Sequence, residues 1–222
     1  MSAKNAHSKD STSETRWRRR KENRPAEILK AALECFSERG FAATKLDDIA
    51  ARADVTKGTL YLYFKSKEDI FESVVRREIV GNIGDFEKIA ADETLSAADL
   101  LQQLFRFVAR TFALSKASAL PKIIISEGGN FPEMTRFYHE EVIMRGIRLV
   151  SGIIQKGVKH GEFRKVDVEN VVYCVFAPAL FAIIWKHTFD SHVGKPLDVD
   201  LLFKTHFELI INGLASEKKR KS

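Results

Sequence analysis

Residues 44–69, TKLDDIAARADVTKGTLYLYFKSKED, constrain the fold more than any other stretch. Leu46, Ile49, Ala50 and Ala53 recur at helical spacing, Asp54-Val55 interrupts them, and a second short helical series runs from Lys57 to Phe64. Thr44 reads as the N-cap of the first helix, with Asp47 completing an acidic variant of the capping box, and Thr56 reads as the cap of the second. Ala50 and Ala53 are small, which lets the two helices cross closely. The second helix is too short to be stable alone. Its N-terminal end offers a long cation (Lys57), a bare backbone (Gly58) and a hydroxyl (Thr59). That composition suits a close approach to base edges and phosphates.

Each of these groups has a definite chemistry at DNA. Lys57 reaches a base edge or a phosphate. The Thr59 hydroxyl can bond either, and its methyl can touch a thymine methyl. Tyr61 and Tyr63 offer hydroxyls to phosphate, the bland alternative being half-buried rings that bridge core and surface. Thr44 can anchor its helix by a phosphate contact.

The run TKGTLYLYFKSKEDIF resembles the recognition segment of the TetR family of bacterial transcriptional repressors, and the likeness extends from Ile28 to Phe71. It is carried by Arg39-Gly40-Phe41, Thr44, Ile49-Ala50, Gly58-Thr59-Leu60-Tyr61 and Tyr63-Phe64. The resemblance implies that Lys57, Gly58, Thr59, Tyr61 and Tyr63 occupy DNA-contacting positions, that Leu60 and Phe64 are core, and that Lys67 meets a DNA phosphate. Leu62 departs from the polar or aromatic residue frequent there, so it either faces a methyl group or packs. The family further implies a two-state mechanism. One state sets the two recognition helices of a dimer one turn of DNA apart on a pseudo-palindromic operator, and a ligand favours another spacing.

Composition agrees with a globular all-α chain: 45% hydrophobic and 30% charged residues, five Pro, and no alternating apolar–polar runs. The formal charge of +6 is unevenly placed, because residues 1–24 hold eight Lys or Arg against three acids while residues 25–65 hold six of each. A basic arm beside a helix-turn-helix suggests a polyanion, although residues 1–22 also read as a disordered, solvated tail. Cys35 and Cys174 lie in apolar helical contexts and read as small buried hydrophobes. The N-terminus lacks the apolar core of a signal peptide, and no apolar run is expected to reach the roughly 18 residues of a membrane span. The expectation is a cytoplasmic protein without membrane contact.

The chain divides into an arm at 1–22, a helix-turn-helix domain at 23–68, a helical effector-binding and dimerisation domain at 69–216, and a basic tail at 217–222. About nine helices are expected, three of them in the first domain. Pro25 belongs to the first turn of the first helix and Gly40 is its left-handed terminator. Ser66 with Asp69 caps a long helix, and Ser96, Asp167 and Asp198 mark later starts. The helix from about 168 to 189 is apolar nearly all round, with Pro178 at its middle, and the last helix has a broad apolar face. Two copies of this pair would form a four-helix homodimer interface.

For the larger domain, Phe105, Phe112, Glu127, Tyr138, His139, Tyr173, Phe176 and Trp185 are the candidates to line a cavity for a small apolar or aromatic effector. Glu127 could instead favour a cation, and each aromatic taken singly is more often core. His187 and His192 have metal-like spacing without a third ligand, and no nucleophile elbow, phosphate loop or dinucleotide fingerprint is present. No metal, cofactor or catalytic residue is therefore expected. The reading is a ligand-responsive repressor that binds double-stranded DNA; the alternative is a DNA-binding regulator or architectural protein with no effector.

Overall fold

The helical periodicity is realised along the chain. The computed structural model describes the backbone of residues 8–216 and the side chains of residues 23–110 and 115–216. The α-helical segments are α1 (Ser8–Ala43), α2 (Leu46–Arg52), α3 (Lys57–Tyr61), α4 (Lys67–Val75), α5 (Gly81–Ala90), α6 (Ala97–Leu114), α7 (Ala119–Glu127), α8 (Pro132–Tyr138), α9 (Met144–Lys159), α10 (Val168–Thr188) and α11 (Val199–Leu214). A π-helical turn at Arg76–Val80 joins α4 to α5, and another at His139–Ile143 joins α8 to α9, so the described residues form nine helical rods. Their only β pairing is an isolated bridge between Phe163 and Ala215. The fold is all-α.

The chain forms two compact units that divide between Val74 and Val75. The first extends past residue 68 because the opening turns of α4 belong to its core: Ile70, Phe71 and Val74 are fully buried. There the rings of Phe36, Phe41 and Phe71 meet in a closed triangle with centroids 5.5–5.6 Å apart, a spacing at which tilted and edge-on rings attract. Gly40 makes that triangle possible. Its φ of 79° breaks α1 and turns the chain, so that Phe41 folds back under the helix it has just left.

The N-terminal boundary differs from the expected one. α1 begins at Ser8, so residues 8–22, expected as a disordered arm, have helical backbone, and Pro25 lies inside the helix rather than in its first turn. The Lys-, Arg- and Glu-rich run that ends at Arg24 consists largely of good helix formers, which favours continuing the helix outward. Residues 1–7 and the tail 217–222 lie outside the described residues.

In the second unit, α5, α6, α9, α10 and α11 share one core, in which Phe105 contacts the rings of Phe203 and Phe207 at 6.2 and 5.6 Å. α10 corrects one expectation: an 18-residue window within its 21 residues has a mean hydropathy of 1.8, long and apolar enough to cross a membrane by composition alone. Val172, Val175, Pro178, Ala179, Ala182 and Ile183 on it are buried within the unit, so one face of it packs into the core while Tyr173, Leu180, Phe181 and Ile184 stay exposed. Short polar residues start the helices where expected. Thr56 accepts from the Thr59 amide, Ser66 from Asp69, Ser96 from Asp99, and Asp198 from Leu201. The sequence did not disclose that the Glu162 carboxylate also accepts the Ala97 and Ala98 amides at the head of α6.

Two glycines of α9 test the packing in opposite directions. An added Cβ at Gly152 meets nothing within 4 Å, whereas at Gly157 it would overlap the buried ring of Phe163. Gly152→Ala should therefore stabilise by about 0.5–1 kcal/mol. Gly157→Ala should destabilise by about 1–3 kcal/mol despite the same gain in helix propensity. Urea unfolding of both variants checks the pair.

Candidate nucleic-acid interface and effector region

α3 has five residues, too few to be stable alone, and is held by its surroundings. Leu60 is fully buried beneath it, and the preceding turn is closed by Val55 N–H donating to the Ala50 carbonyl at 3.0 Å. Asp54 takes a left-handed φ of 53° in that turn, a conformation in which Asp is enriched among non-glycine residues. With Leu60 inside, Lys57, Gly58 and Tyr61 face solvent and Thr59 is half-exposed. Leu62, left open by the sequence, does not pack: it is 80% exposed. Tyr63 is half-buried, as in the bridging alternative.

Polar contacts prepare this face. Thr59 and Thr56 hydroxyls are 2.9 Å apart, so the Thr59 side chain is held at the start of α3. The Lys57 ammonium lies 3.1 Å from the Asp47 carboxylate of α2, an exposed pair of the kind contributing about 0–1 kcal/mol. A phosphate can compete for such a cation. On the far side of α2, Arg52 grips Glu38 of α1 through two bonds of 2.6 Å. Arg39 meets Asp48 at 3.1 Å. The Asp48 carboxyl titrates below its ordinary range, chiefly because it accepts the Lys45 amide and also because of Arg39.

Two of the expected DNA contacts are otherwise engaged. Thr44 is buried, and its hydroxyl donates back to the Gly40 carbonyl at 2.6 Å. The N-cap of α2 is instead Lys45, whose amide is accepted by Asp48 at 3.0 Å. The capping pair thus sits one residue later than expected, because the Thr44 hydroxyl closes the end of α1. Lys67, expected on a phosphate, directs its ammonium to the carbonyls of Phe41, Ala42 and Thr44 at 2.7, 3.2 and 2.9 Å.

Among the described residues, the expected effector side chains sit in different surroundings. Phe105 is in the closed core beside Phe203, while His139 and Tyr173 are exposed on different helices. Tyr138 is buried, and burial pushes its phenol above the ordinary range. Glu127 ends α7, half-exposed, and the Phe112 side chain lies outside those described. Phe176 closes on Gly146, where a Cβ would come within 3.2 Å of its ring. Trp185 stacks between Phe181 and Phe189 at 5.5 and 5.4 Å, and its indole N–H is buried with no acceptor. Nearby in sequence, His187 bonds Ser118 at 2.9 Å. Burial, then Lys186 and Lys122, hold the imidazole below its usual pKa. A cleft of about 330 Å³ lies between α5 and α9, reaching from Glu87 to His160, and is lined by none of the expected residues.

With this geometry in view, comparison with known proteins is decisive. Residues 28–74 match the family model of the tetR family of bacterial regulatory proteins, and residues 99–171 match that of the C-terminal domain of AefR-like transcriptional repressors. The HTH-type transcriptional repressor KstR2 of Rhodococcus jostii is 30% identical over 199 residues, covering 88% of this chain and 93% of the relative. The chain belongs to the TetR family. A second relative, the fatty acid metabolism regulator protein of Bacillus subtilis, is 26% identical over 87% of this chain and 98% of its own length. Among solved structures, FadR from Bacillus subtilis in complex with stearoyl-CoA has a TM-score of 0.67 at 24% identity, covering 85% of this chain and 98% of that one. KstR2 of Mycobacterium tuberculosis, described as a ketosteroid transcriptional regulator, also gives 0.67 at 24%, covering 87% and 96%. These TetR structures share its fold.

The Lys57–Asp47 pair yields a prediction. Lys57→Ala should weaken binding to a mixed-sequence duplex, and Asp47→Asn should strengthen it by freeing Lys57 and removing a charge that repels phosphate. Fluorescence anisotropy at moderate salt measures both, with changes of roughly threefold to tenfold expected.

Proposed function

We propose that this TetR-family chain is a repressor whose homodimer binds a pseudo-palindromic operator through α3 and is released by an apolar small molecule held in the larger unit. The observation that carries the DNA reading is the division of α3 into a buried Leu60 and an outward face of Lys57, Gly58, Thr59 and Tyr61. That face offers a cation, a close-approaching backbone and two hydroxyls within five residues, the mixture direct readout uses. The protein acts in the cytoplasm as a regulator rather than an enzyme.

The effector reading draws on different support. The relatives include a fatty acid metabolism regulator and a protein solved with stearoyl-CoA. The unpartnered indole N–H of Trp185 is a buried donor that a ligand oxygen would satisfy. We assign the effector to the fatty-acyl or steroid class on these grounds. Stearoyl-CoA is the first probe. The proposed action predicts that it raises the thermal midpoint and releases the chain from a selected operator. If neither stearoyl-CoA nor a steroid library does so, the effector-free reading replaces this one.

Dimerisation is proposed through α10 and α11. Tyr173, Leu180, Phe181 and Ile184 form an exposed apolar stripe on α10, accompanied by Leu201 and Leu209 on α11. A stripe of this size calls for a partner surface, and a two-fold axis would bury two copies against each other. Leu180→Asp with Phe181→Glu should convert the dimer to a monomer. Light scattering at micromolar concentration checks this, and a wild-type monomer would refute the interface.

A further inference from the structure

We propose that Lys67 is a positioning residue: its ammonium clamps the α1–α2 corner onto α4, and DNA binding depends on it through α2 and α3 rather than through a phosphate contact. Three carbonyls from a four-residue corner, those of Phe41, Ala42 and Thr44, converge on this one nitrogen at 2.7, 3.2 and 2.9 Å. An ammonium has three hydrogens and no acceptor, so this set uses its whole donor capacity. The Phe41 ring faces the same nitrogen at 4.4 Å and adds a cation–π attraction. Three carbonyl dipoles aimed at one point repel one another, and the positive charge at their focus offsets that repulsion. A planar guanidinium cannot occupy the same focus, because its donors point along fixed, diverging directions.

The consequence reaches the DNA-facing helices through short covalent paths. Thr44 is two residues from the start of α2, and its hydroxyl already ties the corner to the end of α1. α2 leads through the Asp54-Val55 turn into α3. Ile49 and Ala50 of α2 and Leu60 of α3 stay buried, so freeing the corner would loosen the entry to α2, and with it the fine placement of Gly58 and Thr59, without releasing the helices. Phe41 is the ring under the ammonium and also one of the three rings of the core, so the clamp couples the corner to the packing of Phe71 on α4.

The test uses the full chain, a mixed-sequence DNA duplex, and the variants Lys67→Met, Lys67→Arg and Lys67→Gln. Affinity is measured by anisotropy over a range of KCl, at a temperature where circular dichroism shows each variant folded, with hydrogen exchange followed over residues 41–47. The methionine and arginine variants should each bind about tenfold more weakly. The slope of log K against log salt should be unchanged, and residues 41–47 should lose protection. Glutamine, which keeps two donors, should fall between and covers the case of a methionine variant that does not fold. Wild-type affinity for Lys67→Arg, or a slope reduced by about 0.9 for Lys67→Met, would mean a phosphate contact and overturn the proposal. Unchanged affinity in all folded variants would reduce the clamp to a purely stabilising role and overturn it as well.

Discussion

A recognition helix of five residues has no stability of its own, so its placement is imposed by the unit that carries it. The decisive constraint is the corner after Gly40. There the chain reverses in a left-handed conformation, buries Phe41 between Phe36 and Phe71, and presents carbonyls that Lys67 closes from α4. Arg52 with Glu38 and Arg39 with Asp48 fasten α2 from outside. The outward chemistry of α3 can then be minimal, a glycine flanked by a lysine and a threonine, because rigidity is supplied elsewhere.

The second unit obeys a different constraint. α10 has apolar residues on every side, and a single five-helix core covers only part of it. The uncovered part includes Tyr173, Leu180, Phe181 and Ile184, the stripe on which the proposed dimer interface rests. The two π-helical turns, Arg76–Val80 and His139–Ile143, lie against each other in this unit. Arg76 stacks on Phe137 at 4.5 Å, and Arg145 forks onto Glu87 at 3.1 and 2.6 Å, which holds the Glu87 carboxyl below its ordinary range. Turns of this kind often mark places where a helix carries function.

What was legible in the sequence follows the range of the interactions. The caps at Thr56, Ser66 and Asp198 were visible because a short side chain meets an amide three residues away. The turn at Asp54 and the break at Gly40 were likewise local, while the burial of Leu60 was implied by the family resemblance. The contacts of Lys67 were not legible because its carbonyl partners lie 23–26 residues upstream, and only the fold returns the chain to them. The Thr44 hydroxyl bonds were hidden for the same reason, since its acceptors belong to the preceding helix. Effector residues were the least legible. Helical spacing shows that Phe105 and Tyr173 lie on helices, but whether two helices turn those faces toward a common space depends on crossing geometry that no local pattern encodes. The π-helical turns also left no trace, because one extra residue per turn barely disturbs an apolar stripe.

The central claim is that the outward face of α3 reads DNA in two copies related by a two-fold axis. Selection of bound duplexes from a random library by the wild-type chain, followed by sequencing, tests it most directly. The account predicts an enriched inverted repeat whose half-sites are centred about one helical turn, roughly 34–36 Å, or a multiple of that apart. Enrichment of a single asymmetric site, or of no sequence at all, would contradict it.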